Sequence, residues 1–137
     1  MKKLIFALAF AIPFSMMAQK APSAVTKAFA AKFPKVTNVD FGKEGNGEYE
    51  AEFKVNNVKM SANFKSTGEW VETESEIPTS DLPATVTAAI KKGHPDAKIV
   101  GASKIETAAN GIRYEADLRA GMKKLELLYD TNGNLVK

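Results

Sequence analysis

The sequence predicts an α+β protein of two tandem units, each a helix packed on a four-stranded antiparallel sheet. Three observations carry that prediction. One segment pattern occurs twice in the same order, two hairpins alternate apolar and polar residues, and a short amphipathic helix bounded by prolines precedes each hairpin.

The duplication sets the architecture. Pro22-Ser23-Ala24-Val25-Thr26-Lys27-Ala28-Phe29 aligns with Pro83-Ala84-Thr85-Val86-Thr87-Ala88-Ala89-Ile90, and Phe33-Pro34 with His94-Pro95. After a small insertion, Tyr49-Glu50-Ala51-Glu52-Phe53 matches Tyr114-Glu115-Ala116-Asp117-Leu118. Both copies then run without a gap to Gly68-Glu69-Trp70-Val71 and Gly133-Asn134-Leu135-Val136.

The chain opens with Lys2-Lys3, an apolar run from Leu4 to Ile12, and a close on the small residue Ala18. The run is too short for the roughly 20 residues that a bilayer span needs, and the three parts together make a secretory signal. Residues 1–18 are read as a signal peptide cleaved after Ala18, which sends the mature chain to the periplasm or out of the cell. Lys2 and Lys3 leave with it, so 19 basic residues become 17 against 16 acidic ones and the net charge falls from +3 to +1. The signs are interspersed, without the basic stripe of a nucleic-acid binder. There is no cysteine, hence no disulfide in an oxidising compartment and no acylation site of a bacterial lipoprotein. The mature form has no second apolar stretch long enough to span a membrane.

Each unit starts with a helix. Val25, Ala28, Phe29 and Phe33 fall on one face, as do Val86, Ala89, Ile90 and His94. Pro22 and Pro83 suit a first turn, Ser80 or Asp81 can cap the second helix, and Pro34 and Pro95 end both. An outer strand follows, Val36 to Phe41 in one unit and Ala97 to Ile105 in the other. In the first hairpin, Tyr49, Ala51, Phe53 and Val55 alternate with charged residues, and so do Val58, Met60, Ala62 and Phe64 with polar ones. A two-residue turn at Asn56-Asn57 then sets Tyr49 against Phe64, Ala51 against Ala62, Phe53 against Met60 and Val55 against Val58. The second hairpin, around Gly121-Met122, pairs Tyr114 with Tyr129, Ala116 with Leu127 and Leu118 with Leu125. Fourth strands are expected at Trp70 to Thr73 and at Leu135-Val136, with Thr73 to Asp81 as the connection. The apolar sheet face lies under the helix, and the charged face meets water.

These residues resemble the PepSY-like domains of Bacteroidetes-type exported proteins, which are similar in architecture to the β-lactamase inhibitor protein. The features carrying the resemblance are a helix ending in Phe-Pro or His-Pro, then Tyr-Glu-Ala-acid-apolar, then an aromatic, a glycine turn and an apolar-Val pair. It covers Pro22 to Lys137 and implies residues 19–78 and 79–137 as two repeats, with sheets that can join into one curved eight-stranded sheet carrying its helices on one face. It also implies a non-catalytic binding or inhibitor-type role, with a protein or peptide of the cell envelope as partner and no cofactor. The β-lactamase inhibitor has disulfides and an aromatic-rich concave face. This chain has neither, so only the architecture carries over.

No catalytic or metal-binding constellation stands out. His94, the only histidine, aligns with the packing residue Phe33. Asp130-Thr131-Asn132-Gly133-Asn134 begins like a calcium loop, but Leu135 stands where glycine belongs and Lys65 replaces the first ligand in the other copy; a hairpin turn accounts for both. Glu48, Glu50, Glu52, Glu115 and Asp117 raise the idea of a carboxylate hydrolase. On an open sheet face, solvent is expected to keep their pKa values ordinary.

The exposed sheet face is the candidate binding surface. The first unit contributes Glu50, Glu52, Lys54, Lys59, Asn63 and Trp70; the second contributes Glu115, Asp117, Arg119, Lys124, Glu126 and Leu128. In the expected register Lys54 faces Lys59, Arg119 faces Lys124 and Asp117 faces Glu126, like charges that a partner could reward. Leu128 sits on that polar face where its counterpart is Asn63. Trp70, the only tryptophan, is read as an inward core anchor, or as an interface anchor if it turns outward. A structural or accessory envelope protein without a dedicated partner is the remaining alternative.

Overall fold

Two prolines with extended backbone set where the helices begin. Pro22 (φ −54°) precedes α1, Ser23–Lys32, and Pro83 (φ −56°) precedes α2, Ala84–Gly93. Their carbonyls accept the first backbone bonds of the helices, from Val25 and Thr26 in one case and Thr87 in the other. Proline leaves no N–H stranded at that position. Neither helix has a side-chain cap, contrary to the expected role of Ser80 or Asp81; Thr79–Asp81 instead forms a 3₁₀ turn ahead of Pro83. The helices stop at Phe33 and His94, whose N–H groups donate to Phe29 O and Ile90 O just before the second proline of each unit.

The computed structural model describes residues 20–136. The signal-peptide reading of residues 1–18, with its cleavage after Ala18, lies outside them. Seven strands follow the chain as β1 (Val39–Lys43), β2 (Tyr49–Val55), β3 (Val58–Phe64), β4 (Trp70–Glu76), β5 (Lys98–Thr107), β6 (Gly111–Ala120) and β7 (Lys123–Asp130). They form one antiparallel sheet in sequence order. Both hairpins hold the register expected from alternation, Tyr49 opposite Phe64 through Val55 opposite Val58, and Tyr114 opposite Tyr129 through Leu118 opposite Leu125. Asn56 and Asn57 both take positive φ, 51° and 66°, whereas in the second turn Gly121 does so at 60°. Paired asparagines and a leading glycine are the two residue solutions for a tight hairpin.

Two expectations are corrected. The sheet has seven strands, because Leu135 makes a single bridge to Tyr129 where a fourth strand of the second unit was expected. Val136 N–H donates to Leu128 O and Asp130 N–H to Asn134 O, one bridge's worth of pairing and short of a ladder. The acidic segment read as a connection from Thr73 is strand as far as Glu76. It pairs on both sides, Ser61 opposite Glu74 on β3 and Glu74 opposite Ile105 on β5. Pairing partners distant in sequence overrode a composition poor in strand formers.

Cross-strand pairs share a face, so the registers show which face each helix covers. Ala62 opposes Thr73, Ser75 opposes Lys104, and Lys104 opposes Tyr114. The α1 and α2 sides are thus the same side of the sheet. Val25 and Phe29 pack with Ala51, Phe53, Ala62 and Phe64, while Val86 and Ile90 pack with Ala102, Ala116, Leu118 and Tyr129. Tyr49 and Tyr114 lie half-buried against these two clusters. Gly68 and Gly133 close matching turns at φ 89° and 82°, each against the first turn of a helix. A Cβ on Gly68 would meet Ala24 O at 2.6 Å, and one on Gly133 would strike Thr85 O. Glycine lets both turns seat under their helices.

Candidate functional site

Among the described residues, no helix covers the opposite sheet face. Its residues are those that alternate with the core: Glu50 and Glu52 on β2, Asn63 on β3, Glu72 and Glu74 on β4, Glu115 and Asp117 on β6, Glu126 and Leu128 on β7. The like-charge pairs expected from the sequence are all present in the register, Lys54 with Lys59, Arg119 with Lys124 and Asp117 with Glu126. Lys98 extends the second of these, since it opposes Arg119 on β5. Cations therefore gather at the end of the β2–β3 and β6–β7 turns, and carboxylates occupy the middle.

Trp70 is the member that does not belong to this face. Phe64 opposes Trp70 while the preceding Asn63 opposes Glu72, so β4 spends one extra residue there. This bulge turns Trp70 to the helix side and leaves Glu72 on the open side. The indole packs against the α1 cluster, its Nε1–H donates to Thr73 Oγ1 at 2.9 Å, and Lys32 Nζ stands 3.9 Å above the ring. It is the inward anchor of the two readings.

The middle of the face is a crowd of acids. Carboxylate oxygens of Glu115, Asp117 and Glu126 lie within 4.8 Å of one another. Asp117 fits there because β5 has Gly101 beside it; a Cβ at Gly101 would meet Asp117 Oδ2 at 2.5 Å. A register shift between Ile99 and Gly101 accompanies the contact. Glu74 joins from β4, near enough to raise the pKa of both Glu115 and Glu126. Among the described residues the ion pairs are Lys65–Glu69 and Lys104–Glu106, both elsewhere. No cation among the described residues pairs with the cluster.

This overturns the expectation of ordinary pKa values. Burial among neighbouring side chains pushes Glu115 up to about 8, helped by the charges of Glu74 and Glu126 and by a hydrogen bond shared with Glu126. Burial likewise lifts Glu50 to about 7, with Glu44 and Glu52 adding repulsion and Ser61 opposing it. Glu72, Glu74, Asp117 and Glu126 are raised as well, again chiefly by burial. A sheet face that no helix among the described residues covers is still not bulk water. Ser103 and Ile105, on β5 between the acids of β4 and β6, are themselves buried, so long side chains shield one another there.

Sequence reading missed Glu74 and Glu76, which it assigned to a connection, and left Glu72 of the expected fourth strand off the candidate face. The usable signal was their alternation with Thr73 and Ser75, a period of two with small polar residues on the core side. Of the other candidates, Asp130 is committed to its own turn: its carboxylate accepts the Asn134 side-chain amide and the backbone N–H groups of Asn134 and Asn132, which also hold its pKa down. His94 is the half-buried residue that ends α2. The Glu115, Asp117 and Glu126 oxygens are the donor type of a hard divalent cation, yet calcium takes about six to eight oxygens and this trio is short of a closed site.

An α+β protein with helices sealing one face of a single sheet and an acidic opposite face belongs to the class of one-sided sheet modules. A family model described as "Putative beta-lactamase-inhibitor-like, PepSY-like" matches residues 47–137, and the chain belongs to that family. Solved structures share the fold. A protein from Bacteroides eggerthii, described among "putative periplasmic proteins", superposes with a TM-score of 0.78 at 18% identity over 87% of this chain and 88% of that one. A DUF2874 family protein from Bacteroides ovatus gives 0.76 at 23% identity, with 87% and 86% covered. A BLIP-like protein from Bacteroides fragilis gives 0.72 at 20% identity, again with 87% and 86% covered. Comparison with curated proteins finds no match. Among the described residues, no helix is long and apolar enough to cross a membrane.

Proposed function

We propose that this is an exported, non-catalytic binding module that docks a basic protein or peptide of the cell envelope on its open sheet face. One observation carries the reading: Glu74, Glu115, Asp117 and Glu126 crowd together on a face without a helix, unpaired with any cation among the described residues. Raised carboxylate pKa values mean that the charged cluster costs stability, and a basic partner would remove that cost. An envelope location is supported by the signal-peptide reading of residues 1–18 and by the periplasmic description of a structural relative. The BLIP-like name of another relative fits a binding role, but at 20% identity it supplies the fold and no target.

A carboxylate hydrolase would need these groups enclosed. An open-sided cavity of about 630 Å³ lies instead between the end of α1 and the β2–β3 turn, lined by Phe33, Val36, Val55 and three lysines. That geometry favours binding over hydrolysis, and a partnerless accessory role leaves the acidic crowding without a use. We further read residues 19–78 and 79–137 as two PepSY-like repeats within one sheet, on the strength of the duplicated sequence; the family match, residues 47–137, runs across their boundary.

Affinity capture from envelope extracts tests the binding role. The wild type should retain the same basic partner reproducibly and release it as salt rises. A Glu74→Gln/Glu115→Gln/Glu126→Gln variant should lose it. Equal retention by both proteins, or none by the wild type, refutes the reading.

A further inference from the structure

β7 is an outer strand of the sheet, and part of its edge is already occupied. The C-terminal segment pairs with it from Leu128 onward, where Val136 N–H donates to Leu128 O and Asn134 O accepts from Asp130. Residues two apart on a strand point their backbone groups to the same side, so Lys124 and Glu126, like Leu128, direct N–H and C=O away from β6. Among the described residues no strand pairs with them. What remains open is Lys123 to Leu127.

We propose that this edge pairs antiparallel with the same edge of a second copy, with the two-fold axis at Leu125. Few registers are available. Opposed residues must share a face, so the axis passes beside a residue and never between two. Centred on Lys124 or on Glu126, it sets a charge against its own copy. Centred on Leu127, it requires the stretch that Asn134 to Val136 already covers. Centred on Leu125, it sets Leu125 against Leu125 on the helix side and Lys124 against Glu126, twice, on the open side. Glu126 N–H then donates to Lys124 C=O of the second copy, and reciprocally. The apolar stem of Lys123 then lies over Leu127 of the second copy, a residue half-buried in its own chain.

Charge argues for a second copy as the occupant. Glu126 belongs to the acidic trio that no cation among the described residues pairs with, and this register brings it a lysine from the other copy. The opposite edge of the sheet offers no such match. A two-fold at Phe41 of β1 would set Asp40 against Gly42. Isolated lysines on an outer strand ordinarily keep edges apart; here lysine and glutamate two residues apart make the edge complementary to itself.

Sedimentation of the mature chain at rising concentration tests the proposal. A contact this short falls in the transient class, so a reversible dimer that weakens with salt is expected. Lys124→Glu and Glu126→Lys each put like charges together twice and should abolish dimerisation, whereas the double variant should restore it. Mixing the two single variants should give a heterodimer. Lys124 is exposed and Glu126 half-exposed, so circular dichroism should show all three variants folded. Amide exchange at Glu126 should slow as the wild type dimerises. A monomer throughout, or a dimer indifferent to the charge exchange, overturns the proposal. The envelope-partner reading stands or falls separately, by its own capture experiment.

Discussion

The two halves of this chain solve one packing problem with different materials. Around α1 the core is aromatic: the Phe29 ring lies 5.0 Å from Phe53 and 5.5 Å from Phe41, both edge-on, and 5.2 Å from Phe33. Around α2 the same positions are aliphatic, with Ile90, Leu118, Leu125 and Leu127 and a single buried tyrosine, Tyr129. Hairpin register is nevertheless identical in the two halves. Alternation decides which side a residue takes, and the particular oily side chain decides only how the space is filled. The halves differ more at their far ends. β4 closes the first half and joins it to the second, whereas the residues after Gly133 make a single bridge.

Cutting large side chains from the two cores should break this equivalence most strongly. Phe64→Ala is expected to cost about 3–5 kcal/mol and Leu118→Ala about 2–5 kcal/mol in urea unfolding. Because β4 and β5 pair, each variant should still unfold in one transition; two separated transitions would show that the halves are independent. Next come the matched glycines. Gly68→Ala and Gly133→Ala should each lose roughly 1–3 kcal/mol, since both combine positive φ with a clash against a helix carbonyl. Unequal losses would show that one turn is free to shift from its helix.

Charge on the open face should give a smaller effect of opposite sign. Glu115 and Glu50 have folded pKa values of about 8 and about 7 against 4.5 for the free side chain, so the folded state holds protons that the unfolded state releases. Stability should therefore fall as pH rises from about 4.5 to about 8, the reverse of a salt-bridged carboxylate. Glu115→Gln should raise stability at pH 8 by about 1 kcal/mol once screening at a partly exposed site is allowed for, and should flatten that slope. Glu50→Gln should do less, and unchanged pH profiles for both would mean that the crowding is relieved by water. The smallest effect belongs to Lys32→Ala, which removes the cation over Trp70. About 0.5–1 kcal/mol is expected, with a shift in tryptophan fluorescence that has no counterpart in the second half.

Much of this was legible because it is local. Proline positions bounded both helices, and period-two runs with a two-residue turn left a single sensible register for each hairpin. The core faces followed from Val25, Phe29, Val86 and Ile90. The candidate face was legible in its hairpin residues but not in β4. Nothing within Glu72 to Glu76 says that Ser61 and Ile105 wait on either side. Trp70 was ambiguous for a related reason, since simple alternation cannot see a bulge created by the neighbouring strand.

By itself, the sequence determined the helices, the turns and the inward or outward direction of each hairpin residue, because these depend on backbone preference and on which side chains avoid water. Only the tertiary structure decided that the halves share one sheet and that acids from β4, β6 and β7 converge beside Gly101. Convergence depends on strands dozens of residues apart lying side by side. The resulting pKa shifts arise from mutual burial that no single segment possesses.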